Sequence, residues 1–64
     1  MVKINGEALE KDGQVLAEFL ANSKYNGKRI AVEINGEIVP KSHYSETILR
    51  NGDMVEIVSF VGGG

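Results

Sequence analysis

Cysteine is missing from this chain of 64 residues. Without it, the chain offers no disulfide and no thiolate chemistry. This composition suits a reducing compartment, and we expect a cytoplasmic protein. Long apolar runs are also missing, since no stretch approaches the roughly 18 residues of a membrane span. The first seven residues have no apolar run of the signal-peptide kind. We therefore expect no membrane as a partner.

Positive charge is scarce as well. The chain has 7 Lys and Arg against 9 Asp and Glu, which gives a formal net charge of −2. Proteins that bind nucleic acid usually carry a basic patch. Lys24, Lys28 and Arg29 form the only cluster of cations along the chain. We interpret that cluster as a solvated loop and strand start, so nucleic acid is not an expected partner.

Side chains that could perform catalysis are few. The one histidine, His43, falls in a predicted surface turn and has no metal-ligand partner at a useful spacing. Ser42 and Ser45 flank it, but a serine nucleophile needs a base that a third group orients in a pocket. Nothing in the sequence indicates a pocket. We therefore expect no catalysis by the chain itself, no metal and no bound cofactor.

The apolar pattern predicts the order hairpin, helix, hairpin, short turn, strand. Two Asn-Gly pairs, at 5–6 and 35–36, indicate type I′ turns, which need a positive φ at both central residues. Pro40 ends the second hairpin because it has no amide hydrogen to donate. The predicted strands cover residues 2–5, 7–9, 29–34, 37–39 and 54–61.

One helix is predicted between the two hairpins. Val15, Leu16, Phe19 and Leu20 follow the spacing of a helical face. Asp12 is the candidate cap at its start. A domain this small has a single core, so the helix must lie on one face of one sheet.

Parallel pairing of the first and last strands completes the predicted topology. The spatial order is then second, first, fifth, third, fourth. This is an α+β fold, the ubiquitin-like β-grasp, with a mixed five-stranded sheet and one main helix on one face. We expect one domain over residues 1–64. Ser42 is the candidate cap of the short turn after the second hairpin.

The last predicted strand carries apolar residues on both faces. Val55 and Ile57 suit the face that the helix covers, so Met54, Val58 and Phe60 should lie on the open face. Exposed apolar patches often mark protein interfaces. We predict that these three residues bind a partner, and the alternative is that they are scattered surface residues or lie beneath a loop.

Three glycines, Gly62, Gly63 and Gly64, follow that strand. Glycine has no Cβ, so we expect a flexible tail at 62–64 that reaches roughly 10 Å beyond the fold. Such a tail can enter a narrow channel and present its terminal carboxylate there. The alternative is an ordinary disordered end or linker.

Four segments together resemble the ThiS family, the sulfur carriers of thiamine biosynthesis, over the whole length of the chain. The segments are AVEINGEIVP at 31–40, TIL at 47–49, NGDMVEI at 51–57 and VGGG at 61–64. Tyr44 stands where that family often has tryptophan, which we interpret as a variation in packing. The resemblance implies a protein cosubstrate rather than an enzyme.

The resemblance also implies partners and a reacting group. A ThiF-type adenylating enzyme would use ATP and magnesium to convert the carboxylate of Gly64 to an acyl-adenylate. A sulfur donor, such as a cysteine desulfurase, would then give a thiocarboxylate, and a ThiG-type thiazole synthase would take the sulfur. Gly62 and Gly63 would bind the partner enzyme. The free chain is expected to be a monomer.

Three alternatives stay open at this point. The first is a sulfur carrier of another pathway, such as molybdopterin synthesis, which shares the fold and the tail. The second is a ubiquitin-like modifier that is joined to lysines of target proteins. The third is a binding module whose tail is inert.

Overall fold

The computed structural model describes residues 1–60. The predictions for Val61, Gly62, Gly63 and Gly64 lie outside the described residues. Within the described part, no helix is long and apolar enough to cross a membrane. The elements in chain order are β1 (Val2–Ile4), β2 (Glu7–Leu9), α1 (Leu16–Ala21), β3 (Ile30–Ile34), β4 (Glu37–Val39), a 3₁₀ helix (Lys41–Glu46) and β5 (Met54–Ser59).

The five strands form one sheet in the order β2-β1-β5-β3-β4. β1 pairs in parallel with β5, where Ile4 lies opposite Val55. The other pairs are antiparallel, and the longest runs from Ile30 opposite Ser59 to Ile34 opposite Val55. The predicted β-grasp topology is therefore confirmed, with β5 at the centre of the sheet.

Both predicted Asn-Gly turns are present. Their asparagine side chains also form hydrogen bonds to β5, which sequence reasoning missed. Asn5 and Asn35 have φ of 51° and 53°, and the glycine after each has φ of 86°. The side chain of Asn5 also accepts a hydrogen bond from the Ile57 amide at 2.7 Å and donates one to the Ile57 carbonyl at 3.0 Å. Asn35 Oδ1 accepts from the Met54 amide at 2.9 Å. The two turn asparagines thus hold β5 at two points.

The core lies between α1 and one face of the sheet. The alternation predicted for β5 is correct, since Val55 and Ile57 are buried. Leu49, from the segment that precedes β5, is fully buried with them. The buried residues are Val2, Ile4, Leu16, Phe19, Leu20, Val32, Leu49, Val55 and Ile57.

The predicted cap of α1 is wrong. Asp12 lies outside the helix, which begins after Val15 with no side-chain hydrogen bond at that cap. The Leu16 amide donates instead to the Thr47 carbonyl at 2.7 Å. Because a distant backbone segment satisfies this amide, which would otherwise lack a partner at a helix start, the helix needs no acidic cap at Asp12.

The predicted cap of the short turn is also wrong. Ser42 lies inside the 3₁₀ helix, and its N-cap is Pro40, which has no side-chain hydrogen bond. The helix is closed at its other end by Thr47, whose hydroxyl donates to the His43 carbonyl at 2.7 Å. His43 itself is exposed, as predicted.

Candidate functional site

The open face of β5, together with Phe60 directly after the strand, presents the apolar side chains that the sequence predicted there. Met54 is 60% exposed, and Val58 and Phe60 are each 56% exposed. Val55 and Ile57, which alternate with them, are 2% and 5% exposed. The predicted exposure is confirmed, and the role of these residues in partner binding stays a prediction.

These three residues form a row rather than a compact patch. A strand rises about 3.3 Å per residue, so Met54 and Phe60 lie roughly 20 Å apart. Glu56 lies between them on the same face. Met54 borders a shallow groove that Lys3 and Asn5 also line, whereas Phe60 borders a different groove at the other end of the strand. A partner that touches the whole row must therefore cover most of the length of β5.

Residues of β3 and β4 extend the open face beside β5. Val58 lies opposite Ala31, and Glu33 lies opposite both Glu56 and Ile38. Ile38 is 72% exposed, and sequence reasoning did not include it. The signal was present, because a type I′ turn sets the register of its hairpin and places Ile38 beside Glu33 on the open face.

Two carboxylates of like charge face each other on this surface. Glu33 and Glu56 are direct partners across β3 and β5, and within the described part of the chain neither forms an ion pair. Directly opposed like charges destabilise a sheet. The repulsion between these two carboxylates therefore lowers the free energy of unfolding by a small amount.

This pair gives a testable prediction for stability. Glu33→Lys replaces repulsion with attraction to Glu56, and it should raise the free energy of unfolding by about 0.2–1 kcal/mol. Glu10→Lys makes the same change in charge at an exposed residue outside the strands and serves as the control. Urea unfolding at low salt measures both variants. An equal or lower stability of Glu33→Lys relative to Glu10→Lys would show that the opposed carboxylates do not repel measurably.

The tail predicted at 62–64 begins beyond the described residues. The Phe60 amide donates to the Arg29 carbonyl at 2.8 Å, so Phe60 is still bonded to the backbone directly before β3. The roles predicted for Gly62, Gly63 and Gly64 are not tested by the structure. Phe60 is the last described residue before them.

The structure has a groove beside Phe60 that the sequence did not indicate. Its volume is about 590 Å³, and it lies between α1, the loop before β3 and the 3₁₀ helix. Tyr44 borders it, and burial raises the pKa of the Tyr44 phenol above its ordinary value. Its described lining residues include no His, Asp, Glu or Ser that could act as a base or nucleophile. Among the described residues, no cluster of His, Cys, Asp or Glu could hold a metal ion.

Comparison with known proteins gives three concordant results. The model of the ThiS family matches residues 2–64. The sulfur carrier protein ThiS of Bacillus subtilis (strain 168) is 39% identical over 66 aligned positions that cover 100% of both chains. The crystal structure of a thiamine biosynthesis protein (ThiS) from Geobacter metallireducens superposes with a TM-score of 0.76 at 28% identity, covering 98% of this chain and 97% of that one.

The chain is also similar to part of a longer protein. The thiazole synthase of Paramagnetospirillum magneticum (strain ATCC 700264 / AMB-1) is 42% identical over 62 residues. The match covers 95% of this chain but 19% of that protein. The chain thus spans about a fifth of the length of this thiazole synthase.

Proposed function

We propose, on the premise that this chain belongs to the ThiS family, that it carries sulfur on the C-terminal carboxylate of Gly64. The chain is a sulfur carrier protein of the kind that serves thiamine biosynthesis. The observation that carries the proposal is the family match over residues 2–64, which includes the glycine tail. This match favours the thiamine pathway over the molybdopterin pathway.

Activation of the carboxylate is the step that the chemistry requires. A carboxylate oxygen is a poor leaving group, so sulfur cannot replace it directly. We propose that a ThiF-type adenylating enzyme binds ATP and magnesium, joins the Gly64 carboxylate to the α-phosphate and releases pyrophosphate. A sulfur donor, such as the persulfide of a cysteine desulfurase, then displaces AMP through its outer sulfur and forms an acyl persulfide. A thiol cleaves the S–S bond of that intermediate and becomes a disulfide, and the product is a terminal thiocarboxylate.

We propose that a ThiG-type thiazole synthase uses that sulfur. Support comes from relatives named thiazole synthase that contain a segment similar to nearly the whole of this chain. A carrier and its consuming enzyme that occur in one polypeptide must be able to act together. The chain itself takes part as a cosubstrate, and its location in the cytoplasm stays a prediction.

The tail and the fold have different roles in this proposal. Gly62 and Gly63 carry no side chain that would widen the tail or restrict its backbone, so the tail can enter a narrow active site. Recognition then depends on the fold, and we propose that Met54, Val58 and Phe60 supply part of it. Their exposure of 56–60% supports this assignment, since a partner can reach all three without unfolding the sheet.

Intact-protein mass spectrometry tests the proposed function. The purified chain is incubated with the adenylating enzyme, ATP, magnesium and a sulfur donor. We expect a gain in mass equal to the difference between one sulfur and one oxygen, confined to a C-terminal peptide. The matched control omits ATP and should show no gain. A chain that is never adenylated under these conditions would contradict the proposal.

The row on β5 gives a second prediction. Phe60→Glu should leave the fold nearly intact because Phe60 is 56% exposed. It should weaken binding to the adenylating enzyme more than about tenfold, since an unpaired carboxylate at an apolar contact is costly. Calorimetric titration measures the affinity, and Ser45→Glu, at an exposed position of the 3₁₀ helix away from the row, is the control. Unchanged affinity would remove Phe60 from the interface, and an unfolded variant would show that Phe60 stabilises the core.

A further inference from the structure

The groove beside Phe60 is not explained by the carrier chemistry. Residues from three parts of the chain surround it, namely α1, the loop before β3 and the 3₁₀ helix. It opens on the helix side of the sheet, and Phe60, the last residue of the row, borders it at the end of β5. Its described lining residues are Ala17, Leu20, Ala21, Tyr25, Asn26, Gly27, Lys28, Arg29, Ile30, Lys41, Tyr44 and Phe60.

Charge is strongly segregated at this groove. Lys28, Arg29 and Lys41 line it, and none of its described lining residues is acidic. The whole chain, in contrast, has 9 acidic and 7 basic side chains and a formal net charge of −2. Lys28 and Arg29 belong to the cluster that sequence reasoning interpreted as a solvated loop. The fold adds Lys41 from the 3₁₀ helix, so the groove is a local cationic site on an anionic protein.

Aromatic side chains form walls that the fold holds in place. Tyr25 and Tyr44 are partly buried and pack against the core. The Tyr25 hydroxyl accepts a hydrogen bond from Asn5 Nδ2 at 2.8 Å, which ties the loop before β3 to the first hairpin. Phe60, more than half exposed, completes the set. Such walls can receive an apolar side chain with little loss of conformational entropy, because they are already ordered.

We propose that this groove binds an acidic segment of the adenylating enzyme, with carboxylates beside Lys28, Arg29 and Lys41 and an apolar side chain between the aromatic walls. The proposal rests on the proposed function. Charge complementarity identifies the segment as anionic, because the three cations have no acidic neighbour among the described lining residues. In a protein segment the anionic groups are the carboxylates of Asp and Glu.

Continuity with the tail identifies the partner. Phe60 lines the groove and precedes the tail by one residue. Each extended residue spans at most about 3.6 Å, so the enzyme that holds Gly64 lies within roughly 15 Å of Phe60. An enzyme held that close to Phe60 can contact the groove, because Phe60 itself borders it. The groove therefore adds a second, electrostatic contact on the helix side of the sheet, and this contact should depend on salt.

Charge reversal at the groove tests the inference. The double variant Lys28→Glu, Lys41→Glu is compared with Lys11→Glu, Arg50→Glu, which makes the same change in net charge away from the groove. We expect the groove variant to bind the adenylating enzyme more than about tenfold more weakly at low salt, and the control pair to stay within about twofold of the original chain. The difference should shrink in 0.5 M salt, where the screening length is only a few ångströms. Circular dichroism melting checks that both variants fold.

The other outcomes separate the two proposals. Equal affinities of the groove variant and the control pair, with normal sulfur loading of the unmodified chain, overturn the groove inference alone. Loss of binding to thiazole synthase but not to the adenylating enzyme also overturns it, because the occupant is then a different protein. An unmodified chain that neither binds the adenylating enzyme nor loads sulfur overturns the proposed function itself.

Crosslinking tests the chemistry of the occupant directly. A photoreactive amino acid at Asn26, which is exposed and lines the groove, should join to a segment of the adenylating enzyme that contains Asp or Glu. The same amino acid at Ser45, on an exposed position of the 3₁₀ helix outside the lining, is the control and should not join to that segment. A crosslink from Asn26 to a segment without acidic residues would contradict the inference.

Discussion

Deletion of Gly64 is expected to abolish sulfur loading and to leave the fold of residues 1–60 unchanged. The deletion retracts the terminal carboxylate by one residue, about 3.3–3.6 Å in an extended chain. Reactions that depend on a fixed approach of two groups lose about 100-fold in rate for a misplacement of roughly 1 Å. The stability of the fold should not respond, because the core residues within the described part of the chain lie between Val2 and Ile57, and Gly64 has no side chain to bury.

Two further variants vary the geometry in other ways. An alanine added after Gly64 moves the carboxylate outward and adds a Cβ. Gly63→Val keeps the length of the tail but makes it wide and stiff at χ1. Both should prevent the gain of mass seen with the unmodified chain, whereas Ala8→Gly on β2 should load normally. If the chain without Gly64 loads sulfur as well as the full chain, the proposed role of Gly64 is wrong.

Replacement of Ile57 by alanine is expected to have the largest effect on stability. Ile57 is 5% exposed and lies opposite Val32 at the centre of the sheet. Truncation of a buried isoleucine to alanine typically costs about 2–5 kcal/mol. In a domain of this size, each kcal/mol shifts the thermal midpoint by about 4–8 °C. The midpoint should therefore fall by at least about 8 °C.

Ile38→Ala is the matched control, because it removes the same atoms from a side chain that is 72% exposed. Its effect should stay within about 0.5 kcal/mol, as for most surface substitutions. Thermal melting followed by circular dichroism measures both variants. Similar melting temperatures for the two variants would mean that the packing of Ile57 contributes little to the free energy of unfolding.

Some features of this protein were determined by the sequence alone, because they depend on neighbours within a few residues. The Asn-Gly pairs at 5–6 and 35–36 predict the two hairpin turns, because a type I′ turn needs a positive φ at both central residues, and both residues of each pair adopt one. Strict alternation in β5 separates Val55 and Ile57 from the exposed residues, because a strand has a period of two. These local rules, together with the presence of one core, were sufficient for the β-grasp topology.

The family assignment was also accessible from the sequence. It depends on several weak segments that occur in one order along the chain, and the match of the ThiS family over residues 2–64 confirms it. The proposed reacting residue, Gly64, comes from that resemblance and from the glycine tail. It is a prediction that the loading experiment decides, since the described residues end at Phe60.

Other features were decided only by the tertiary structure. The start of α1 depends on the Thr47 carbonyl, which accepts the Leu16 amide, so the local preference of Asp12 for a capping position had no effect. Leu49 is fully buried, although no periodic pattern surrounds it. Its amide and carbonyl bond to Gln14 and Gly13 at 2.8 and 2.7 Å, and these contacts form only when distant segments meet.

The groove is the clearest example of a feature that only the tertiary structure decided. The sequence contains Lys28 and Arg29 side by side, but Lys41 follows them only after a complete hairpin. The cationic site exists because the 3₁₀ helix returns beside the loop before β3, where Tyr25, Tyr44 and Phe60 also meet. Local sequence rules describe the conformation of each segment. The surface that a partner recognises depends on which segments the common core brings together, because one small core must bury the apolar faces of all of them at once.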